Sequence, residues 1–192
     1  MLTIHTLVLG MYQVNCYIVH NEDSDRCVVI DPGYEPQKIS AFLQEKGLQA
    51  EAILLTHGHF DHVGGVKALS ENRKVYLHKL EHTMPQALTA GELYATDYYA
   101  DALQIAGMHF TVLHTPGHTP GSVCLLVEDA LFSGDTLFAG SCGRTDLPGG
   151  DWATIQSSLR QLSDLPGDYR VFPGHAEETT LARERQYNPY LR

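Results

Sequence analysis

Short apolar runs closed by turn residues set the rhythm of this chain, and most are too short to be helices. Thr3–Leu9, Cys16–His20 and Arg26–Ile30 read as strands, the last stopped by Asp31-Pro32-Gly33, and a helix is expected from about Pro36 to Lys46. Ala52-Ile53-Leu54-Leu55-Thr56 is continuous, apolar and β-prone, the pattern of a strand buried on both faces. Gly64-Gly65 and then Val66-Lys67-Ala68-Leu69 follow, so the loop after that strand feeds a helix. Further on, Phe110–Leu113, Ser122–Val127 and Leu131–Ser133 read as strands, and Trp152–Leu165 as a helix with Asp151 as its N-cap. The stretch His78–Ala106 is the least readable. Its Tyr94, Tyr98 and Tyr99 either pack as a helical face or line the mouth of a site, and packing is favoured. Ala182-Arg183-Glu184-Arg185-Gln186-Tyr187 reads as a solvated helix face.

A chain of 192 residues, 43% of them hydrophobic, can bury one sizeable core and leaves little for a second module. Residues 1–192 are therefore read as one domain, without linker, repeat or low-complexity run. Thirteen basic against 23 acidic residues give a net charge of −10, with no long basic stripe, which disfavours nucleic acid as a partner. Met1-Leu2-Thr3-Ile4-His5-Thr6 lacks a basic segment ahead of an apolar one, so neither export nor a membrane anchor is expected and the cytoplasm is the default. Cys16, Cys27, Cys124 and Cys142 show no C-x-x-C pairing and read as reduced thiols. With no heptad or broad apolar stripe, a monomer is the default.

Candidate chemistry concentrates in Thr56-His57-Gly58-His59-Phe60-Asp61-His62, where three imidazoles and a carboxylate share seven residues. In an extended segment residues two apart point the same way, so His57 and His59 can close on one ion. Asp61 and His62 then point elsewhere, and a second ion beside the first accommodates them. Two zinc-type ions need more than four protein ligands. Three further residues sit in similar strand-then-loop settings: His118 in Thr115-Pro116-Gly117-His118-Thr119-Pro120-Gly121, Asp135 closing Ala130-Leu131-Phe132-Ser133-Gly134-Asp135, and His175 in Val171-Phe172-Pro173-Gly174-His175. The two oxygens of Asp135 could bridge two ions.

The pattern H-x-H-x-D-H at His57, His59, Asp61 and His62, followed in order by His118, Asp135 and His175, resembles the metallo-β-lactamase fold superfamily over nearly the whole chain. The resemblance implies an α/β fold, a four-layer αβ/βα sandwich of two mixed sheets flanked by helices, with the metal site at one rim. It places the first ion on His57, His59 and His118, the second on Asp61, His62 and His175, and makes Asp135 the bridge. Zinc is the first expectation, and the same ligand types suit iron and manganese.

No serine or cysteine lies in a recognisable nucleophile motif, so the expected nucleophile is a metal-bridging hydroxide, with one ion acting as Lewis acid. Asp61 is the candidate catalytic residue, orienting that hydroxide or taking its proton. Asp31 and Thr56 are candidates for fixing the histidine tautomers. The nucleases of the superfamily generally carry a large extra domain, and the flavodiiron proteins a flavin module. The antibiotic-hydrolysing members are typically exported and tend to have cysteine at the position of Asp135.

What remains is similar to glyoxalase II, the hydroxyacylglutathione hydrolases, through the seven ligands and through Gly134-Asp135-Thr136-Leu137-Phe138 and Cys142-Gly143-Arg144. That likeness makes Arg144 the candidate contact for the glutathione carboxylates and S-lactoylglutathione or a related hydroxyacylglutathione the expected thioester. Thiolate is a good leaving group and needs little acid catalysis. The usual carboxyl-terminal glutathione-binding region has no counterpart, and Ala176-Glu177-Glu178 stands where an aromatic residue is expected, which points to the short bacterial type. The alternative is a single-iron persulfide dioxygenase acting on glutathione persulfide. It is suggested by Gly143-Arg144-Thr145-Asp146 and would hold iron most simply on His57, His118 and Asp135.

Overall fold

The computed structural model describes residues 1–191. Alternation along the strands explains its layering. Strands β1 (Leu2–Leu9), β2 (Val14–Asn21), β3 (Arg26–Ile30), β4 (Gln49–Leu54), β5 (Lys74–Leu77) and β6 (Asp97–Tyr98) form one sheet in that spatial order, antiparallel through β3 and parallel after it. The second sheet uses β7 (Ala102–Ile105), β8 (Met108–His114), β9 (Val123–Val127) and β10 (Ala130–Gly134). After a small hairpin of β11 (Leu137–Phe138) and β12 (Ser141–Cys142), it adds β13 (Arg170–Pro173) and β14 (Thr179–Thr180). Its order is β14-β13-β10-β9-β8-β7, with β10 and β13 parallel.

Residues of alternate parity go to different cores. On β3, Val28 and Ile30 face the second sheet while Cys27 and Val29 face outward; on β10, Ala130 and Phe132 face inward and Leu131 outward. The central core joins Tyr17, Val19, Ile30 and Leu54 of one sheet to Phe110, Leu125, Phe132 and Phe172 of the other. Tyr17, Phe132 and Phe172 pack ring on ring with centroids 5.1 to 5.6 Å apart. Helix α1 (Pro36–Lys46), the short helical turn α2 (Phe60–Val63) and α3 (Val66–Leu69) follow in the first half. Ile39, Leu43, Val66 and Leu69 cover the outer face of the first sheet. Helix α4 (Trp152–Ser163) covers the second with Ile155, Leu159 and Leu162, joined by Leu181 of α5 (Leu181–Tyr187). Three cores between four layers make this the αβ/βα sandwich.

Several sequence expectations need correction. The Ala52–Thr56 strand lies earlier, at Gln49–Leu54, because Thr56 turns away from the sheet to meet Asp31. Helix α4 keeps its Asp151 cap, whose Oδ1 accepts from Thr154 N at 2.7 Å, but ends at Ser163, since Leu165 precedes Pro166 and resists helical backbone. The tyrosines of 78–106 form no helical face. Tyr99 packs on Tyr76 and donates to Leu55 O, whereas Tyr94 is exposed and Tyr98, also exposed, meets the His82 ring edge-on. Helix α5 is not a purely solvated face: Glu184 is buried and accepts from Gly140 N, Thr179 Oγ1 and Asn188 Nδ2. No helix among the described residues is long and apolar enough to cross a membrane.

Candidate metal centre

Strand direction explains why the ligands converge. β8, β10 and β13 run the same way in one sheet, as do β3 and β4 in the other, and the candidate ligands lie just beyond the carboxyl ends of β4, β8, β10 and β13. His57 and His59 stand in the extended segment after β4, and Asp61 and His62 in the helical turn α2. His118 comes from the loop between β8 and β9, Asp135 from the turn after β10, and His175 from the loop after β13.

All seven residues come together. One ligand atom from each of His57, His59 and His118 lies within 4.8 Å of the others, and the same holds for Asp61, His62 and His175. In the first set His59 Nδ1 is 2.9 Å from His118 Nε2. In the second, His175 Nε2 is 3.3 Å from His62 Nε2 and 3.2 Å from Asp61 Oδ2. Asp135 reaches both sets: Oδ2 is 3.6 Å from His118 Nε2 and 3.6 Å from His175 Nε2, while Oδ1 is 3.4 Å from His62 Nε2.

The groups behind the rings decide which nitrogen carries a lone pair. A backbone carbonyl can only accept, so His118 Nδ1 donates to Arg144 O at 2.8 Å and His175 Nδ1 to Tyr12 O at 3.1 Å. His62 Nδ1 donates to Asp31 Oδ2 at 3.0 Å. The Thr56 hydroxyl donates to Asp31 Oδ2 at 2.6 Å, which leaves it to accept from His57 Nδ1 at 3.1 Å. Four Nδ1–H groups are thus turned outward and four Nε2 atoms turned into the cluster, the arrangement that outer partners impose on metal-binding imidazoles. His57 Nε2 and Asp135 Oδ1 are buried without any hydrogen-bond partner, as is His59 Nε2, whose Nδ1 faces the cluster instead. Orphaned lone pairs converging from two sides fit bound cations and little else.

Electrostatics separates the two sets. Burial, reinforced by neighbouring imidazoles, holds His57 well below the ordinary histidine value and His59 down at about 4, so both are neutral at pH 7. Burial alone would lower His62 too, but Asp135, Asp31 and Asp61 outweigh it and raise it to about 9. For Asp61, burial is outweighed by His175 and His62, and the carboxyl falls to about 2.

The cluster floors a cavity of about 430 Å³ whose walls include Tyr12, Phe60, Leu88, Phe138 and Leu147, with Arg144 at the edge. The Arg144 guanidinium is engaged by Asp146 through Nε and Nη2, both at 2.7 Å, and the pair is exposed. Sequence reasoning missed Asn15, whose Nδ2 holds the His175 loop through Pro173 O and Ala176 O, and Tyr17, which donates to the same Pro173 O. A polar Asn15 inside the run Val14–Val19 was the signal available. Glu81 and the aromatic wall left no such trace.

A family model described as the metallo-beta-lactamase superfamily matches residues 9–175. Hydroxyacylglutathione hydrolase GloC of Haemophilus influenzae is 33% identical, the alignment taking in 99% of this chain and 98% of that protein. The crystal structure of the BLEG-1 B3 metallo-beta-lactamase is 36% identical with a TM-score of 0.91, covering 98% of this chain and 99% of its own. TTHA1623, solved in a di-iron-bound form, is 41% identical with a TM-score of 0.85, covering 97% and 100%.

Proposed function

The chain belongs to the metallo-β-lactamase superfamily, which supports a metal-dependent hydrolase, and from that premise we propose that it hydrolyses S-lactoylglutathione or a related hydroxyacylglutathione. The observation that carries the two-ion reading is Asp135, one carboxylate within 3.6 Å of ligand nitrogens in both histidine sets. His57, His59 and His118 would hold one ion, Asp61, His62 and His175 the other, and Asp135 both. Bound divalent cations would supply a water acidified toward a pKa of about 7, in the case of zinc, and a Lewis acid for the carbonyl oxygen.

The chain's own residues do the rest. Asp61, ionised down to about pH 2, is too weak a base to take a proton readily and instead orients the attacking water by accepting a hydrogen bond. Tyr12, Phe60, Leu88, Phe138 and Leu147 exclude water from the flanks of the acyl group. Arg144 would meet a carboxylate of the thiol carrier in exchange for Asp146. Attack of the water oxygen on the carbonyl carbon forms the new C–O bond, and the C–S bond breaks to release a thiolate, a leaving group that needs little acid catalysis. The GloC relative supports the choice of glutathione thioester.

The test is hydrolysis of S-lactoylglutathione under nitrogen by metal-analysed protein, with His59→Ala as background. Turnover that the variant lacks is expected. Absence of turnover with zinc and with iron loaded, alongside oxygen-dependent consumption of glutathione persulfide or opening of a β-lactam, would overturn the assignment.

A further inference from the structure

Glu81 has no role in the hydrolysis described above and no place in any sequence motif, yet its carboxyl-bearing side chain is wholly removed from solvent, at 0% exposure. It sits in the first turn of the short 3-10 segment Lys79–Thr83, inside the stretch that the sequence leaves unassigned. Its two oxygens diverge. Oε2 accepts from Gly58 N at 2.5 Å, and Oε1 accepts from Gly121 N at 2.7 Å. Gly58 stands between His57 and His59; Gly121 stands three residues after His118. A single carboxylate therefore joins the loop from β4 to the loop from β8, and these two loops carry the whole first set of imidazoles.

Both contacts are close enough that a side chain at either glycine would force Glu81 to shift. A Cβ on Gly58 would lie 2.9 Å from Glu81 Oε2, and one on Gly121 would lie 2.8 Å from Oε1. The roots of the same two loops are joined separately, by Val123 N donating to Thr56 O at 2.8 Å. Glu81 fixes the tips. No lysine or arginine pairs with it among the described residues, so its charge is met by the Thr119 hydroxyl, by the Gly58 and Gly121 amides and by the nearby His118. A buried carboxylate in that position is costly unless a cation lies nearby.

We propose that Glu81 is a positioning residue for the first ion, its carboxylate clamping the tips of the two loops that bear His57, His59 and His118. The inference rests on the ligand assignment above. It does not rest on the substrate, because its readout is metal.

Glu81→Gln keeps the shape, removes the charge and turns an N–H donor toward one of the two glycine amides. Zinc titration against a competing chelator should show one of the two ions bound 10- to 100-fold more weakly, the usual consequence of losing an outer partner, with the other unchanged. The matched control is Glu184→Gln, another buried glutamate bonded to a backbone amide, at Gly140, and touching neither the loop after β4 nor the loop after β8. It should lower the melting temperature comparably and leave both ions at wild-type affinity. In metal-free wild-type protein the Gly58 and Gly121 amides should already exchange slowly with solvent, a measurement that needs no variant to fold. Wild-type zinc affinity in Glu81→Gln, equal weakening in Glu184→Gln, or rapid exchange of both amides would each overturn the proposal. A wild-type protein that binds fewer than two ions would instead overturn the two-ion reading itself.

Discussion

Replacing Asp31 by Asn should cost the second ion its affinity while leaving the backbone almost untouched. Asp31 is 2% exposed and sits at φ 48°, a left-handed conformation that Asn tolerates as well as Asp does. Its Oδ1 accepts from Thr56 N at 2.8 Å, and its Oδ2 accepts from both Thr56 Oγ1 at 2.6 Å and His62 Nδ1 at 3.0 Å. An amide keeps one acceptor, and the buried Thr56 N–H claims it, because an unpaired N–H there costs about 1–3 kcal/mol. The NH2 then occupies the place of Oδ2. Thr56 Oγ1 can accept from it and still accept from His57 Nδ1, so His57 keeps its tautomer. His62 cannot adjust in that way. Donor faces donor at Nδ1, and the ring relieves the clash by moving its proton to Nε2, the atom aimed at Asp135 and His175.

Losing an outer partner of this kind weakens metal binding about 10- to 100-fold, which is about 1.4–2.8 kcal/mol. Zinc titration against a chromophoric chelator would resolve the two ions, and long-range nitrogen–proton NMR of the His62 ring would report the tautomer. Urea unfolding of the metal-free protein separates any folding cost from the binding cost. The reasoning fails if the Asp31→Asn protein binds both ions as wild type does, or if its His62 still carries the proton on Nδ1.

Two further outcomes follow from the same geometry. Metal needs neutral imidazole, and in the unloaded chain His57 and His59 are neutral at pH 7 whereas His62, raised to about 9 by Asp135, Asp31 and Asp61, is protonated. Raising the pH from 7 to 9 removes a competing proton from His62, so second-ion affinity should rise by about tenfold per pH unit for each proton displaced. Calorimetry in buffers of different ionisation enthalpy should find protons released with the second ion and few with the first; equal release by both would sink this account. Gly174→Ala should lose the bridge, since the added Cβ would press on Asp135 Oδ1 and lie 2.7 Å from His62 Cε1. Overpacking of this sort costs about 1–3 kcal/mol; metal analysis showing two ions retained in a protein of unchanged melting temperature would contradict it.

The contrast between ligands and their supports shows what a sequence can disclose. His57, His59, Asp61 and His62 are legible because one short segment must present several donors, so the chemistry appears as local density. His118, Asp135 and His175 are legible for a related reason: each interrupts an apolar strand exit with a residue that packing does not call for. Core assignment was equally local, since the alternation of Val28, Val29 and Ile30 on β3 is the alternation between two hydrophobic cores. Boundaries were less so. The end of β4 is set by Asp31, and no propensity of Leu55 or Thr56 records that contact.

Asp31 and Thr56 are legible as candidates for fixing the tautomers, but which ring each outer partner meets is hidden, because topology, not local pattern, brings them in. Asp31 is 31 residues from His62 and arrives because β3 lies parallel to β4, so both exits open at the same rim. The Tyr12 carbonyl is 163 residues from His175 and arrives with the turn between β1 and β2. As a backbone group it has no side-chain identity to notice. Glu81 stands in Lys79-Leu80-Glu81-His82, a mixture that reads as ordinary surface, with partners 23 and 40 residues away. The site thus divides into donors written into single segments and acceptors supplied by strand order. The second class fixes the tautomers and loop spacing on which the first depends. A chain that kept all seven ligands but altered Asp31 or Glu81 would preserve the motif while weakening the centre. The Asp31→Asn and Glu81→Gln titrations measure that separation, one ion at a time.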